Sequence, residues 1–362
     1  CAIAENFLNR STNVNHLSVY STLFATDAKE PFTLERLQRL KHVQIISVQE
    51  ECSATPHTTT TPEQSLTAAN FTGRIYRNWG ISSFTKLTRN QSTHASEFMP
   101  ENQDEAEINF PQQESIAQSA PSIFTFPKGA HVGTFIHNLF EKHSPNQLLN
   151  REYFAKLLDQ LALSSEITDQ KDVWIEVLQT WLAQIFNHSL LPNATFANVL
   201  ENDSIHELEF LFPIHKHLTA STFNQYLQNY RQQECLPNLG FYNLKGMMKG
   251  FIDLIFMHDG KYYIVDYKTN YLGDHRSDYS SDRLHQAMMD AYYDVQYLIY
   301  TIALTRYLKS RMKNFSYDEH FGGVFYLFVR GMNEDDNHGV YFTKPTEENI
   351  LELEQLIGNR HD

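Results

Sequence analysis

Two runs of apolar residues, each with one acid inside it, form the clearest pattern along the chain. They span residues 250–256 and 262–268, and a polar segment at 258–260 separates them. Both runs are rich in β-branched and aromatic residues, and the Asp-Gly pair in the separating segment suits a tight turn. The pattern predicts a β-hairpin. Asp253 lies in its first strand and Asp266 in its second.

Further segments with helical or strand periodicity indicate an α/β fold. The long apolar run at 323–329 has the composition of a strand that is buried on both faces. The predicted helices lie near 133–140, 150–162, 171–187, 284–312 and 346–357, and the other predicted strand covers 207–214.

The first part of the chain has weaker patterns. We expect a helix capped by Thr33, a strand at 43–48 and a linker at 56–62, which is rich in Thr and Pro. Residues 97–122 are acidic and rich in Gln, Ser and Pro, so we interpret them as a mobile loop. Because the chain starts at Cys1 rather than Met, we expect a fragment of a longer protein.

Composition limits the possible functions. The 362 residues carry a formal net charge of −14, which argues against a DNA-binding protein that relies on a basic surface of its own. It does not exclude an enzyme that receives DNA from a partner. The three cysteines form no CxxC pair, and the chain has neither an apolar run long enough to span a membrane nor a visible signal peptide. A cytoplasmic, reducing location is the simplest expectation.

The hairpin carries the candidate chemistry. Residues two apart in a strand share a face, so Asp266 and Lys268 point the same way and Tyr267 points the other way. If Asp253 lies about 4 Å from Asp266, the two acids repel by about 4 kcal/mol at an effective dielectric constant of 20. A hard divalent cation such as Mg²⁺, Mn²⁺ or Ca²⁺ would remove this conflict. The alternative is an ordinary ion pair between Asp266 and Lys268 on a surface strand, and the hairpin alone leaves the two interpretations nearly even.

Four other residues have an ordinary explanation as well as a functional one. His137 lies on an apolar helix face, where a histidine is usually structural. Glu209 lies in an apolar strand and either faces solvent or joins a site. Gln296 and Tyr300 are four apart, so they share a helix face, where they either contact a phosphate, order the lysine or pack in an aromatic-rich helix.

Taken together, these segments resemble the RecB family of the PD-(D/E)xK nucleases. The resemblance covers most of the chain from about Arg74 onward. It implies a restriction-endonuclease-like α/β core, with a mixed central β-sheet flanked by helices. It further implies that 74–362 form the nuclease domain and that 1–73 are the tail and linker of a preceding helicase region. The resembling segments are 133–137, 207–210, 250–253, 265–270, 294–300 and 321–331.

The resemblance also assigns roles to individual residues. It implies that Lys268 is the catalytic lysine, that Gln296 and Tyr300 are the QxxxY motif, and that Glu209 matches a family acid counted with the catalytic residues. Many relatives carry four cysteines for an Fe–S cluster, which this chain lacks. The implied metal ligands are His137, Asp253, Asp266, which also counts as catalytic, and the backbone carbonyl of Tyr267.

The function implied is that of a Mg²⁺-dependent DNA exonuclease, with Mn²⁺ or Ca²⁺ able to replace Mg²⁺ in binding. In this family single-stranded DNA is fed by the helicase motors of a RecBCD-type complex in double-strand-break repair. RecC- and RecD-type subunits are the implied partners, and a RecA-type recombinase is another. Since no Walker A loop is present, ATPase activity is expected elsewhere. The alternative is a domain that mainly docks partner subunits or RecA and cleaves little.

Overall fold

The computed structural model describes residues 79–88, 120–161, 169–201, 204–232, 238–241 and 244–358. All of them lie within one compact unit, Arg74–Asp362. The helix capped by Thr33, the strand at 43–48, the linker at 56–62 and residues 97–119 of the predicted loop fall outside the described residues. The division between 1–73 and 74–362 by function therefore stays a prediction.

Six of the described strands form one mixed sheet, and two short ones form a separate ribbon. In the sheet, β5 pairs antiparallel with both β4 and β6 and parallel with β1, β6 pairs parallel with β7, and β7 pairs antiparallel with β8. The strands are β1 (Gly80–Ser82), β2 (Ser189–Leu191), β3 (Ala194–Thr195), β4 (Ser204–Leu218), β5 (Leu244–His258), β6 (Lys261–Lys268), β7 (Phe321–Phe328) and β8 (Val340–Thr343).

Helices cover both faces of the sheet. One core joins α2 and α4–α6 to the face that carries Val265 and Tyr267. The other core joins α7, α8, α9 and α11 to the face that carries Ile264 and Tyr326. The helices are α1 (Phe84–Thr88), α2 (Ala130–Lys142), α3 (Pro145–Leu149), α4 (Arg151–Gln160), α5 (Lys171–Asn187), α6 (Phe196–Glu201), α7 (Ala220–Tyr230), α8 (Ser281–Asp290), α9 (Tyr293–Arg311), α10 (Tyr317–His320) and α11 (Glu347–Ile357).

The predicted hairpin is confirmed. Strands β5 and β6 pair from Leu254↔Val265 to His258↔Lys261, and Asp259 and Gly260 make the turn with positive φ angles of 48° and 76°. All residues of β7 are buried, as its continuous apolar run predicts. The α/β architecture with a mixed central sheet is likewise confirmed.

The helix predicted as continuous over 284–312 is wrong in one respect, because the chain breaks between α8 and α9. Tyr292 adopts a left-handed conformation with φ 55°, which is unfavourable for a residue with a Cβ. The break is stabilised from α7: Arg231 lies 5.6 Å over the Tyr292 ring and forms a two-bond ion pair with Asp294 in the first turn of α9. The break makes Tyr293 the first residue of α9, with its ring centre 4.2 Å from Lys268 Nζ.

Within the described residues, the remaining predicted helices and strands are confirmed within a few residues of their observed ends. The sequence patterns missed the short elements β1, α1, α3, the β2–β3 ribbon, α6, α10 and β8. They also missed α7, an amphipathic helix of 11 residues. Among the described helices, none is both long and apolar enough to cross a membrane.

Candidate metal and phosphodiester site

The Asp266–Lys268 pair lies near the end of β6, in the middle of the sheet. Both side chains are buried, and Lys268 Nζ lies 2.7 Å from Asp266 Oδ2. They share a face, as the strand periodicity predicts. The alternative of an exposed surface ion pair is therefore wrong, because the side chains of Asp266 and Lys268 are only 2% and 4% exposed. Burying a cation and an anion together is costly unless further groups compensate them. Ionisable pairs buried in this way are typical of functional sites.

Asp253 sits where β5 and β6 separate. The last paired residues are Leu254 and Val265, and beyond them the N–H of Tyr267 donates to Asp253 Oδ2 at 2.8 Å. The carboxylate thus takes the place that a strand carbonyl would occupy in a continued ladder. This hydrogen bond fixes one oxygen of Asp253 at the fork.

His137 reaches the same fork from α2, on the opposite side of the sheet from α9. Its Nδ1 lies 3.5 Å from Asp253 Oδ2, and its ring packs edge-on against Tyr267 with ring centres 5.7 Å apart. The apolar residues of α2, which include Ile136 and Phe140, anchor the helix in the core and so place the histidine. The long-range approach of His137 to the hairpin is thus present in the structure.

Negative charge is in excess around Asp253. Burial raises the pKa of Asp253 to about 8, and the Asp266 carboxylate acts in the same direction. The charges of His137 and Lys268 and the hydrogen bond from Tyr267 oppose this rise in pKa. Desolvation and a like charge are both reasons for a carboxyl to hold a proton. A divalent cation would relieve both.

The donor chemistry of the fork fits a hard divalent metal ion. Two carboxylates, an imidazole and backbone carbonyls are ligands that such ions accept. Within the described residues, no three His, Cys, Asp or Glu side chains already surround a common point. The reason is visible in the contacts: Asp266 is turned toward Lys268, and Asp253 toward His137. The argument that a divalent metal ion fits this site therefore rests on the excess of negative charge and on the types of ligand atoms present.

Gln296 and Tyr300 are brought to the site through a third residue. Both are buried, and Gln296 Nε2 donates to the Tyr300 hydroxyl at 2.9 Å. The hydroxyl of Tyr326 on β7 donates to Gln296 Oε1, also at 2.9 Å. Tyr326 is in register with Asp266 on the neighbouring strand. The motif thus forms part of a network beside the acid and the lysine.

Glu209 has a different environment from the acids at the fork. Its side chain is 57% exposed, and its carboxylate pairs with Lys249 of β5 at 3.2 Å. The acid that the sequence patterns missed is Glu207. It is exposed, yet partial desolvation of its carboxyl raises its pKa, assisted by the charges of Glu141 and Asp266.

Glu207 and Glu209 occupy equivalent positions in the alternation of β4. Glu207 has a left-handed φ of 49°, but the register with β5 and the alternation of exposure both continue across it. The spacing of two between Glu207 and Glu209 was the only available signal, and it treats both acids as equivalent.

Next to the fork, one edge of β5 has an opening in its strand pairing. Strand β4 pairs with β5 both at Gly246–Met248 and at 254–256, so β1 and β6 must share the opposite edge of β5. On that edge β1 faces Gly246–Met248 and β6 faces Leu254–His258. None of the described strands covers residues 249–253 there. The opening ends at Asp253.

Comparison with known proteins gives the family. Residues 115–360 match the PD-(D/E)XK nuclease superfamily. The chain is 36% identical to RecBCD enzyme subunit RecB of Haemophilus influenzae over 316 residues, 82% of this chain and 25% of that protein. The corresponding subunit of Escherichia coli K12 is 33% identical over 77% of this chain and 23% of its own length.

The Mycobacterium tuberculosis H37Rv subunit of the same name is 28% identical over 75% of this chain and 27% of its own length. The chain thus spans about a quarter of the length of the relatives it matches. The superfamily match covers the α2 histidine, the whole hairpin and α9, which are the elements that build the fork. The chain therefore belongs to the PD-(D/E)XK nuclease superfamily.

Proposed function

We propose that this chain hydrolyses DNA phosphodiester bonds with the help of Mg²⁺, and that it acts as an exonuclease on single strands. The observation that carries the proposal is the meeting of His137, Asp253, Asp266 and Lys268 at one fork of the sheet. Neither packing nor a docking role requires two acids and a lysine to be buried together there.

The proposed metal ligands are the carboxylates of Asp253 and Asp266, the imidazole of His137 and the backbone carbonyl of Tyr267. When bound, a divalent cation would neutralise the two acids and polarise a phosphoryl oxygen. The hydrogen bond from Tyr267 N–H keeps Asp253 oriented at the fork without using its second oxygen.

Lys268 supplies positive charge at the reacting phosphate. Its ammonium group has three donors, one of which serves Asp266, and in this proposal the group also donates to a phosphoryl oxygen or to the attacking water. During hydrolysis the water oxygen bonds to phosphorus, the bond from phosphorus to the 3′ oxygen breaks, and that oxygen takes up a proton. The products carry 5′-phosphate and 3′-hydroxyl ends. The ammonium group offsets the charge that builds up on the phosphoryl oxygens.

We infer the single-strand preference from residues 249–253, the stretch of the β5 edge that none of the described strands pairs with and that ends at Asp253. The net charge of −14 gives the chain little general attraction for DNA. We therefore infer that partner subunits hold and deliver the strand. The relatives bear the name RecBCD enzyme subunit RecB, and we propose a RecBCD-type assembly with RecC- and RecD-type partners for this chain also, acting in double-strand-break repair.

The test is cleavage of labelled single-stranded DNA in Mg²⁺ by the wild type, Asp266→Asn and Asp259→Asn. Asp259 lies at the other end of the same hairpin with its side chain 89% exposed, so it is a matched control. We expect the Asp266 variant to lose at least about a hundredfold in rate and the control to lose nothing. Undiminished cutting by Asp266→Asn would overturn the assignment. A wild type that neither cuts nor binds Mn²⁺ in calorimetry would instead favour the docking role.

A further inference from the structure

Lys268 is enclosed by groups of two kinds. Besides Asp266 at 2.7 Å, its ammonium nitrogen lies 4.2 Å from the ring centre of Tyr293 and 5.5 Å from that of Tyr326. Aromatic faces attract a cation, and the attraction grows when water is excluded, as it is for this buried lysine. The rings therefore limit where the ammonium group can go.

The two rings are themselves fixed. They stack with centres 5.6 Å apart, and the Tyr326 hydroxyl lies 3.3 Å from the backbone carbonyl of Tyr293 and 2.9 Å from Gln296 Oε1. Since a hydroxyl has one proton, the shorter contact to Gln296 is the main hydrogen bond. Gln296 in turn donates to Tyr300. A continuous chain of contacts thus runs from the Gln296–Tyr300 pair through Tyr326 to Lys268.

Simple packing does not account for a hydroxyl at position 326. A phenylalanine would fill the same space without a buried polar group, whose burial costs free energy unless it is hydrogen-bonded. Two neighbouring strand residues, Phe325 and Phe328, are phenylalanines in the same buried strand. The hydroxyl is present at the one position that is in register with Asp266.

We propose that Tyr326 and Tyr293 are positioning residues for the lysine. Tyr326 transmits the order of the Gln296–Tyr300 pair to Lys268 through its hydroxyl, and Tyr293 holds the ammonium through its ring face. This inference rests on the proposed role of Lys268 in cleavage. It predicts that removal of the hydroxyl impairs cleavage at Tyr326, whereas removal of the ring impairs it at Tyr293.

The kinetic test compares Tyr326→Phe with Tyr297→Phe. Tyr297 is buried on α9, next to Gln296 in sequence. Its hydroxyl bonds to that of Tyr230 rather than to the Gln296 network, so the control also removes a buried tyrosine hydroxyl. We expect Tyr326→Phe to lower kcat by about ten- to a hundredfold at unchanged KM, since small displacements of a catalytic group are costly. We expect Tyr293→Leu to lower kcat more than Tyr293→Phe, which keeps the ring.

A second readout follows the lysine directly. Brief acylation in metal-free buffer, followed by mass spectrometry, measures how readily the Lys268 amine reacts. We expect faster labelling of Lys268 in Tyr326→Phe than in wild type. Lys261 at the start of the same strand is expected to label equally in both, which shows that the fold is intact.

The outcomes separate this inference from the proposed function. Equal kcat and equal Lys268 labelling in Tyr326→Phe and Tyr297→Phe would overturn the positioning role. Full activity of Lys268→Met would overturn the role of the lysine in the proposed function instead. Loss of activity in Lys268→Met together with a kcat defect and faster Lys268 labelling that are specific to Tyr326→Phe supports both.

Discussion

Asp253→Asn is expected to abolish cleavage and, at the same time, to stabilise the protein in metal-free buffer. The substitution removes a charge that burial and Asp266 both oppose. It keeps a side-chain oxygen that can accept the hydrogen bond from Tyr267 N–H. The proposed metal ligand is lost, while the shape of the fork is kept.

The pKa of Asp253 sets the size of the stabilisation. It is about 8 in the folded chain against an ordinary value of 3.8. At about pH 7, linkage then gives an upper limit of roughly 4 kcal/mol for the cost of this carboxyl to folding. The side chain keeps 13% of its exposure, so solvent screens part of this cost. We therefore expect a gain of about 1–3 kcal/mol, or roughly 2–4 °C in Tm for each kcal/mol.

The gain should depend on pH in a defined direction. A carboxyl whose pKa is higher in the folded state costs nothing when it is protonated in both states, which holds below about pH 4. The cost grows as the pH rises toward about 8 and is constant above it. The stability difference between Asp253→Asn and wild type should therefore increase with pH across this window.

Urea unfolding in EDTA, at several pH values between about 5 and 9, measures this difference. Added Mg²⁺ should then raise the Tm of the wild type, because it binds the folded state, and raise that of Asp253→Asn much less. Asp253→Ala serves as a comparison, since it leaves the Tyr267 N–H without its acceptor at a cost of about 1–3 kcal/mol. The exposed Asp259→Asn should change nothing. An Asn variant less stable than wild type at every pH, or equally stabilised at all of them, would refute the reasoning.

Two further predictions concern the frame of the site. Arg231→Met should cost about 3–5 kcal/mol in urea unfolding, because it leaves the buried Asp294 carboxylate unpaired, whereas Arg151→Met at an exposed pair should cost less than about 1 kcal/mol. Gly246→Ala should cost roughly 2–4 kcal/mol, since its φ is +131° and a Cβ would lie 2.1 Å from a carbonyl oxygen of β1; Gly260→Ala, with φ +76° and open space around it, should cost only about 1 kcal/mol. Equal losses within either pair would contradict these assignments.

The hairpin could be predicted from the sequence because its signals are local. Alternation places Asp266 and Lys268 on one face, and the Asp259-Gly260 turn fixes the register to within a residue. The separation of the strands at Asp253 was not predicted. It depends on a side-chain oxygen replacing a backbone partner, and strand periodicity carries no information about such an exchange.

The break before α9 shows the limit of helical periodicity. Residues 284–312 contain neither Gly nor Pro, so nothing local ends a helix there. The left-handed Tyr292 is stabilised by Arg231, which comes from a helix about sixty residues earlier. Tertiary contacts of this kind override intrinsic helix preference. Without the break, the faces of α8 and α9 would be coupled, and the positions of Tyr293 and Gln296 could not be set independently of α8.

His137 shows a third limit of the sequence, namely that residue type alone does not reveal a functional role. An apolar helix face with one histidine is ordinary, and only the resemblance to the family gave the residue a role. The structure adds its distance to Asp253. Glu209 occupies the motif position, but it pairs with Lys249 instead of contacting the acids at the fork. The charge of Asp266 instead influences the pKa of Glu207, two residues earlier. Residue spacing alone could not distinguish these two acids.

The separation of β5 from β6 connects the stability of the site with access to it. Because Asp253 accepts the Tyr267 N–H that a continued ladder would have used, the two strands must part at this residue. The parting leaves the edge of β5 uncovered by the described strands from 249 to 253, and it places both acids beside that opening. A fully paired sheet would stabilise the strands further. In the proposed function, the buried charge at Asp253 is the cost of keeping this edge of β5 free for a substrate strand, and a metal ion bound there would offset that cost only in the folded protein.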